Sequence, residues 1–139
     1  MKKLTPNLAV KNVRETVNYY VENLGFKLLM AVNDDRSAMG DELVDGKEYV
    51  WANVLCGDVA FMFQREDSFV EDIGKIYSEV GSSATYYMEI ENIDAFYETL
   101  KDKVEIVKAI DTIWYGAREF YIRDCNGYVL GFSEMQGRE

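Results

Sequence analysis

The chain repeats itself, and that repeat limits its possible folds more than any other feature. Leu8-Ala9-Val10-Lys11-Asn12-Val13 is answered at a constant offset of 80 residues by Met88-Glu89-Ile90-Glu91-Asn92-Ile93. Around each copy the same order of elements can be read. Leu4, Leu8 and Val10 alternate with polar or small residues as in a half-buried strand. Asn12, with Glu15 three residues on, is a close variant of a capping box and opens a helix to about Asn23. Val13, Val17, Tyr20, Val21 and Leu24 follow helical spacing, and Gly25 supplies the stop. A strand over Phe26 to Val32, a polar mobile loop over 33 to 46, and a strand pair Glu48 to Leu55 and Val59 to Gln64 across Gly57-Asp58 complete the first half.

A helix over Phe69 to Val80 joins the halves, and the order then recurs. It runs through strand Thr85 to Ile90, a helix from Asn92 to about Lys101, strands Val104 to Ile110 and Glu119 to Arg123, the turn Asn126-Gly127, and strand Tyr128 to Ser133. The expected class is α+β: two β-α-β-β-β modules, about 1–66 and 82–136, joined by 67–81, in one domain spanning 1–139. A unit this long is no solenoid repeat, so two copies pairing to enclose one site is the arrangement implied. Part of the agreement would also arise in any two β-α-β-β-β segments, which share caps and turns by necessity.

Composition narrows the function. The 139 residues include 48% hydrophobic and 14% aromatic side chains, ample for one packed core. With 25 acidic against 15 basic residues the formal charge is -10, which repels phosphate backbones and anionic membranes, so neither nucleic acid nor a membrane is an expected partner. The same charge attracts cations, although it also serves solubility alone. No apolar run is long enough for a signal peptide or a span, and a cytoplasmic location is expected. Cys56 and Cys125 form no CxxC pair and have no histidine to join them, so both read as reduced side chains at turns.

Three groups of residues, in order and at their spacing, carry a resemblance. They are Leu8-Ala9-Val10-Lys11-Asn12-Val13 leading to Tyr19-Tyr20 and Leu24-Gly25-Phe26, then Glu91-Asn92-Ile93-Asp94-Ala95, then Arg123-Asp124-Cys125-Asn126-Gly127-Tyr128. Together they resemble the vicinal oxygen chelate superfamily, which includes glyoxalase I, extradiol dioxygenases, and the fosfomycin and bleomycin resistance proteins. Cys125 and Tyr128 depart from the family's usual proline and asparagine. The resemblance implies paired modules whose sheets curl around a cleft, usually completed in a homodimer, and a divalent metal held by the first and last strand of each module. Those metal places fall on Thr5, Phe61, Thr85 and Gly131. A hydroxyl is a feeble ligand, and phenylalanine and glycine have none, so no metal and no cofactor is expected.

Alternation then assigns the cleft face from those places. Phe61, Phe63, Tyr87 and Glu89 fall on it, with Trp51 and Asn53 beside Tyr49, and Glu119 and Tyr121 beside Arg123. Leu8, Met62, Met88, Leu130 and Phe132 point to the helices. Trp114-Tyr115-Gly116-Ala117-Arg118-Glu119-Phe120 is similar to a run in bleomycin resistance proteins, with Ala117 added, which brings Trp114 and Tyr115 to the candidate ligand-binding set. Trp114 and Tyr115 would equally serve as loop anchors. No nucleophile and base pair is signalled, so no catalytic residue is assigned.

The leading expectation is a metal-independent binding protein of the bleomycin-resistance type, which sequesters a cationic or aromatic small molecule. A divergent lyase or isomerase using Glu89 or Glu119 as base, and a regulatory homodimer with a vestigial cleft, are the alternatives.

Overall fold

The computed structural model describes residues 2–81 and 84–136. In the first half, β1 (Asn7–Val10), α1 (Val13–Leu24), β2 (Lys27–Asn33), β3 (Met39–Gly40), β4 (Tyr49–Cys56), β5 (Val59–Arg65) and α2 (Glu66–Ile73) follow one another. The second half runs β6 (Thr85–Glu89), α3 (Ile93–Leu100), β7 (Glu105–Thr112), β8 (Ala117–Arg123) and β9 (Val129–Met135). They fall into two compact units, Met1–Val80 and Gly81–Glu139. Each holds one mixed sheet, ordered β1-β5-β4-β2-β3 in the first and β6-β9-β8-β7 in the second. β1 and β6 run parallel to β5 and β9, and the other pairs are antiparallel. The class is α+β, and neither sheet closes into a barrel.

Helix α1 begins as the sequence requires. The Asn12 side chain accepts from the Glu15 amide at 2.9 Å, and Gly25, at φ 78°, closes the other end. Its buried stripe brings Tyr20 over the sheet, where the ring lies 5.5, 5.6 and 4.8 Å from Phe26, Phe61 and Phe63. All three partners are buried, each contributing about 1.5–3 kcal/mol. The second unit repeats the arrangement, with Phe96 and Tyr97 of α3 against Phe120 and Phe132 at 5.0 to 6.1 Å.

The two helix starts differ chemically. Asn92 takes a left-handed conformation, φ 56°, and its side chain caps nothing. Instead Glu134 of β9 accepts from the Asn92 and Ile93 amides at 2.9 and 3.1 Å, placing a carboxylate where the helix dipole favours one.

Several elements depart from expectation. The joining helix is Glu66–Ile73 and stops at Gly74, φ 102°. Gln64 holds it, its amide nitrogen donating to Ser68 at 2.9 Å and Asp72 at 2.7 Å. The polar segment after β2 is built. Asn33 is buried, bonded to Asp35, Ser37 and the Ala38 amide. Arg14 of α1 clamps the Val44 and Lys47 carbonyls and lies over the Tyr49 ring. Tyr49 therefore faces α1, because the ladder slips by one residue between Trp51, paired with Val32, and Tyr49, paired with Asn33.

The packing generates a pair of stability predictions. Phe63→Ala empties a site sealed against Tyr20 and is expected to cost about 3–5 kcal/mol in urea denaturation. Met62→Ala, on the opposite face of the same strand, is expected to cost under about 1.5 kcal/mol. Equal losses would contradict the face assignment.

Candidate functional site

Each sheet packs its helix on one face, and the residues of the other face are fixed by register. In the second unit three rows cross β6, β9 and β8: Thr85, Val129 and Arg123; Tyr87, Gly131 and Tyr121; Glu89, Ser133 and Glu119. This is the face expected from the sequence for these strands, and it brings Tyr87, Glu89, Glu119 and Tyr121 together. The Tyr87 and Tyr121 ring centroids are 6.4 Å apart over Gly131. A Cβ at Gly131 would lie 2.6 Å from Tyr121 Cε2 and 3.1 Å from Tyr87 Cδ1. Only glycine leaves the two rings this room.

Glu119 is the electrostatic centre of the face. It is 5% exposed, and an ionised carboxylate at such a position requires partners. Tyr87 donates its hydroxyl to Oε2, and Tyr115 donates to the same oxygen at 2.7 Å. The Tyr87 and Tyr115 hydroxyls are themselves 3.4 Å apart. The guanidiniums engage other carboxylates, Arg118 gripping Asp94 through two nitrogens and Arg123 pairing with Glu105. The hydroxyl of Tyr87 and the Glu119 carboxylate hold Tyr115 well above the usual phenol range. Burial, then the charge of Glu119, pushes Tyr121 in the same direction.

Beside this cluster lies a cavity of about 510 Å³ lined by Tyr87, Glu89, Glu91, Tyr115, Glu134 and Met135, among others. Glu89 is exposed and makes no hydrogen bond or ion pair among the described residues. No local sequence signal marks Glu91, Glu134 or Met135 as lining residues. Glu134 has the helix-facing parity of Phe132, and for that reason it caps α3. Trp114, 94% exposed at the β7–β8 turn, touches Tyr115 edge-on at 5.1 Å.

The first unit requires a correction. Phe61 and Phe63 do not line the open face; both are buried against Tyr20, and Met62 and Gln64 take the opposite side. Trp51 is in register with Gln64, and Asn53 with Met62, so both remain on the face expected of them. Asn7 joins them, donating to Gln64 at 2.9 Å. The Oδ1 atoms of Asn7 and Asn53 are buried and have no hydrogen-bond partner.

The register also relocates one of the places that the family resemblance gives to a metal. Asn7 pairs with Met62 as Tyr87 pairs with Gly131, so Met62 replaces Phe61 as the counterpart of Gly131. A thioether is a neutral, soft ligand, mismatched to a hard ion such as Mn, and one thioether without imidazole or carboxylate beside it makes no divalent site. At Gly131 the space for a ligand side chain is filled by tyrosine rings. The residues at these places do not fit a divalent metal, and no group of three His, Cys, Asp or Glu able to hold one occurs among the described residues.

The hydroxyl cluster makes a pH prediction. Above the ordinary phenol value of 10.0 the folded chain keeps the Tyr115 proton that the unfolded chain loses. The resulting stabilisation is complete below about pH 10 and is lost as pH rises through the folded value. Tyr115→Phe is therefore expected to make the alkaline fall in stability shallower, as read by urea denaturation between about pH 9 and about pH 11. An unchanged fall would remove Tyr115 from this role.

The comparisons with known proteins agree with the fold. A protein of unknown function from Agrobacterium tumefaciens str. C58 shares 20% identity, with TM-score 0.71 over 96% of this chain and 94% of that one. An antibiotic binding protein, TnmS3 from Streptomyces sp. CB03234, shares 18% identity at TM-score 0.66, over 98% and 99%. A glyoxalase-related enzyme from Fulvimarina pelagi shares 12% at TM-score 0.70, over 96% and 88%. No curated protein matches the chain in sequence. Among the described residues no helix is long and apolar enough to cross a membrane. The model of one family matches residues 4–132, and the chain belongs to it: the Glyoxalase/Bleomycin resistance protein/Dioxygenase superfamily.

Proposed function

We propose that the protein binds a cationic small molecule on the second sheet, without a metal and without altering the ligand. The observation that carries this reading is Glu119, a carboxylate 5% exposed and held by the hydroxyls of Tyr87 and Tyr115, next to a cavity flanked by Glu89, Glu91 and Glu134. Rings and carboxylates, with Arg123 in the neighbouring row paired to Glu105, form a surface of negative potential, which favours a cation over an anion. That TnmS3 is an antibiotic binding protein supports binding as a use of this fold. Tyr87, Glu89, Tyr115, Glu119 and Tyr121 form the proposed ligand surface, with the exposed Trp114 at its margin. On the open face of the first sheet, Trp51 and Asn53 are proposed as small-molecule contacts of that unit by itself.

Binding is favoured over base catalysis because Oε2 of Glu119 already accepts from two hydroxyls. A homodimer belongs to the same proposal, since Val107, Trp114 and Met135 leave apolar surface on the second unit. A monomer by light scattering at micromolar concentration would count against the dimer.

Calorimetric titration of a bleomycin-type cation and a neutral aromatic compound of similar size tests the main reading. The cation is expected to bind more tightly, and Glu89→Gln, which lies outside the hydroxyl cluster, to weaken it by about 1.5–3 kcal/mol while leaving the neutral compound little changed. Equal affinity of both compounds for both proteins would sink the idea. Dialysis against a chelator is expected to leave the melting temperature unchanged; a large drop would overturn metal independence.

A further inference from the structure

We infer that the row Tyr87, Gly131, Tyr121 is a seat for a methylated ammonium group, a cation that carries no N–H donor in its fully methylated form. This rests on the cation-binding reading above and names the class of cation. Three features of the second unit lead to it.

The first is shape. Tyr87 and Tyr121 stand in register on either side of Gly131, on strands whose axes are about 9.5 Å apart across β9. With no side chain between them, the rings lean inward over Gly131 to a centroid separation of 6.4 Å at 40°. They form a shallow aromatic platform, with Tyr87 47% exposed. The negative faces of such rings attract a cation placed over them.

The second is the state of the nearby carboxylates. Glu119 supplies negative charge from beneath the surface, but its Oε2 is occupied by the Tyr87 and Tyr115 hydroxyls. Both oxygens of Glu134 hold amides of α3. The charge is present while these lone pairs are engaged. A primary ammonium is strongly hydrated and needs acceptors for three N–H groups, which the ring faces of Tyr87 and Tyr121 do not supply, so a cation seated on the rings themselves is favoured when it needs none. A quaternary ammonium needs no acceptor and loses little hydration, so ring faces and buried charge suffice. Glu89 and Glu91, exposed at the cavity, attract any cation regardless of its head group.

The third is position. Gly131 is where the family resemblance puts a metal ligand, and in this chain the rings occupy the room such a ligand would need. An organic cation on the rings takes the place of the metal.

Proton NMR titration with choline, 2-aminoethanol in its protonated form, and the neutral carbon analogue 3,3-dimethylbutan-1-ol tests this. Choline is expected to bind at least about tenfold more tightly than either of the others, with its methyl resonance shifted upfield by the rings. Equal binding of choline and 2-aminoethanol, both above the neutral alcohol, would overturn the seat while leaving the cation reading standing. Equal behaviour of all three would overturn both. Tyr121→Phe, which keeps the ring, is expected to retain choline affinity, and Tyr121→Leu to lose about tenfold. Retained affinity in a folded Tyr121→Leu would also overturn the seat. The ranking of the three ligands on the unsubstituted protein decides the matter even if that variant does not fold.

Discussion

The contact between Tyr20 and the paired rings of Phe61 and Phe63 sets what the first sheet can offer to anything else. Once α1 covers those rings, strand alternation sends Met62 and Gln64 to the other side. From there Gln64 reaches Asn7, Ser68 and Asp72, tying β1 and α2 to β5. The direction of each bond in that chain is determined. Asp72 only accepts in its ionised form, so the Gln64 nitrogen points at it, the Gln64 oxygen takes the Asn7 nitrogen, and Asn7 Oδ1 is left over. A hydrophobic contact on one face thus dictates the hydrogen bonding of the other.

How much of this was legible in the sequence depended on register. Element order and type could be read, because caps, periodicity and turns act locally. The second sheet's face could also be read, since the expected parity starts from Thr85 and Gly131, which lie on that face. The first failed at one step. Matching the Gly57 turn to the Gly127 turn assumes hairpins of equal construction, yet β4 and β5 are joined by Gly57-Asp58 alone, whereas residues 124 to 128 separate β8 from β9. The true counterpart of Gly131 is Met62, one residue on. A slip of one residue turns every side chain of a strand to its opposite face, and so Phe61 and Phe63 were assigned to the wrong side. Tyr49 was misplaced for a related reason, an irregularity in the β2–β4 ladder that leaves no mark in composition. Nor does local sequence reveal that Glu134, forty residues away, caps α3 in place of Asn92.

The two units share a scaffold and differ in chemistry on the same row of it. Asn7, Met62 and Asn53 occupy the row in the first unit, and Tyr87, Gly131 and Tyr121 occupy it in the second. The first set offers amides and a thioether, the second a pair of rings. Packing beneath is alike, with an aromatic cluster under each helix, so the difference lies almost wholly in residues the core does not constrain. Packing volume constrains the inward positions and not the outward ones.

Glu119 shows the consequence of that freedom. A carboxylate this deeply placed is costly unless its charge is satisfied, and a guanidinium beside it would have removed the negative potential along with the cost. Two phenols do something different. They donate hydrogen bonds and contribute no charge, so the anion is solvated yet not cancelled, and its field persists at the rings above. Arg118 and Arg123 are close in sequence but pair with Asp94 and Glu105. The arrangement also explains the glycine. Any side chain at 131 would separate Tyr87 from Tyr121, displacing the ring whose hydroxyl helps to hold the carboxylate. Gly131, the tyrosines and Glu119 therefore act as one device, and a substitution at any of them should be felt by the others.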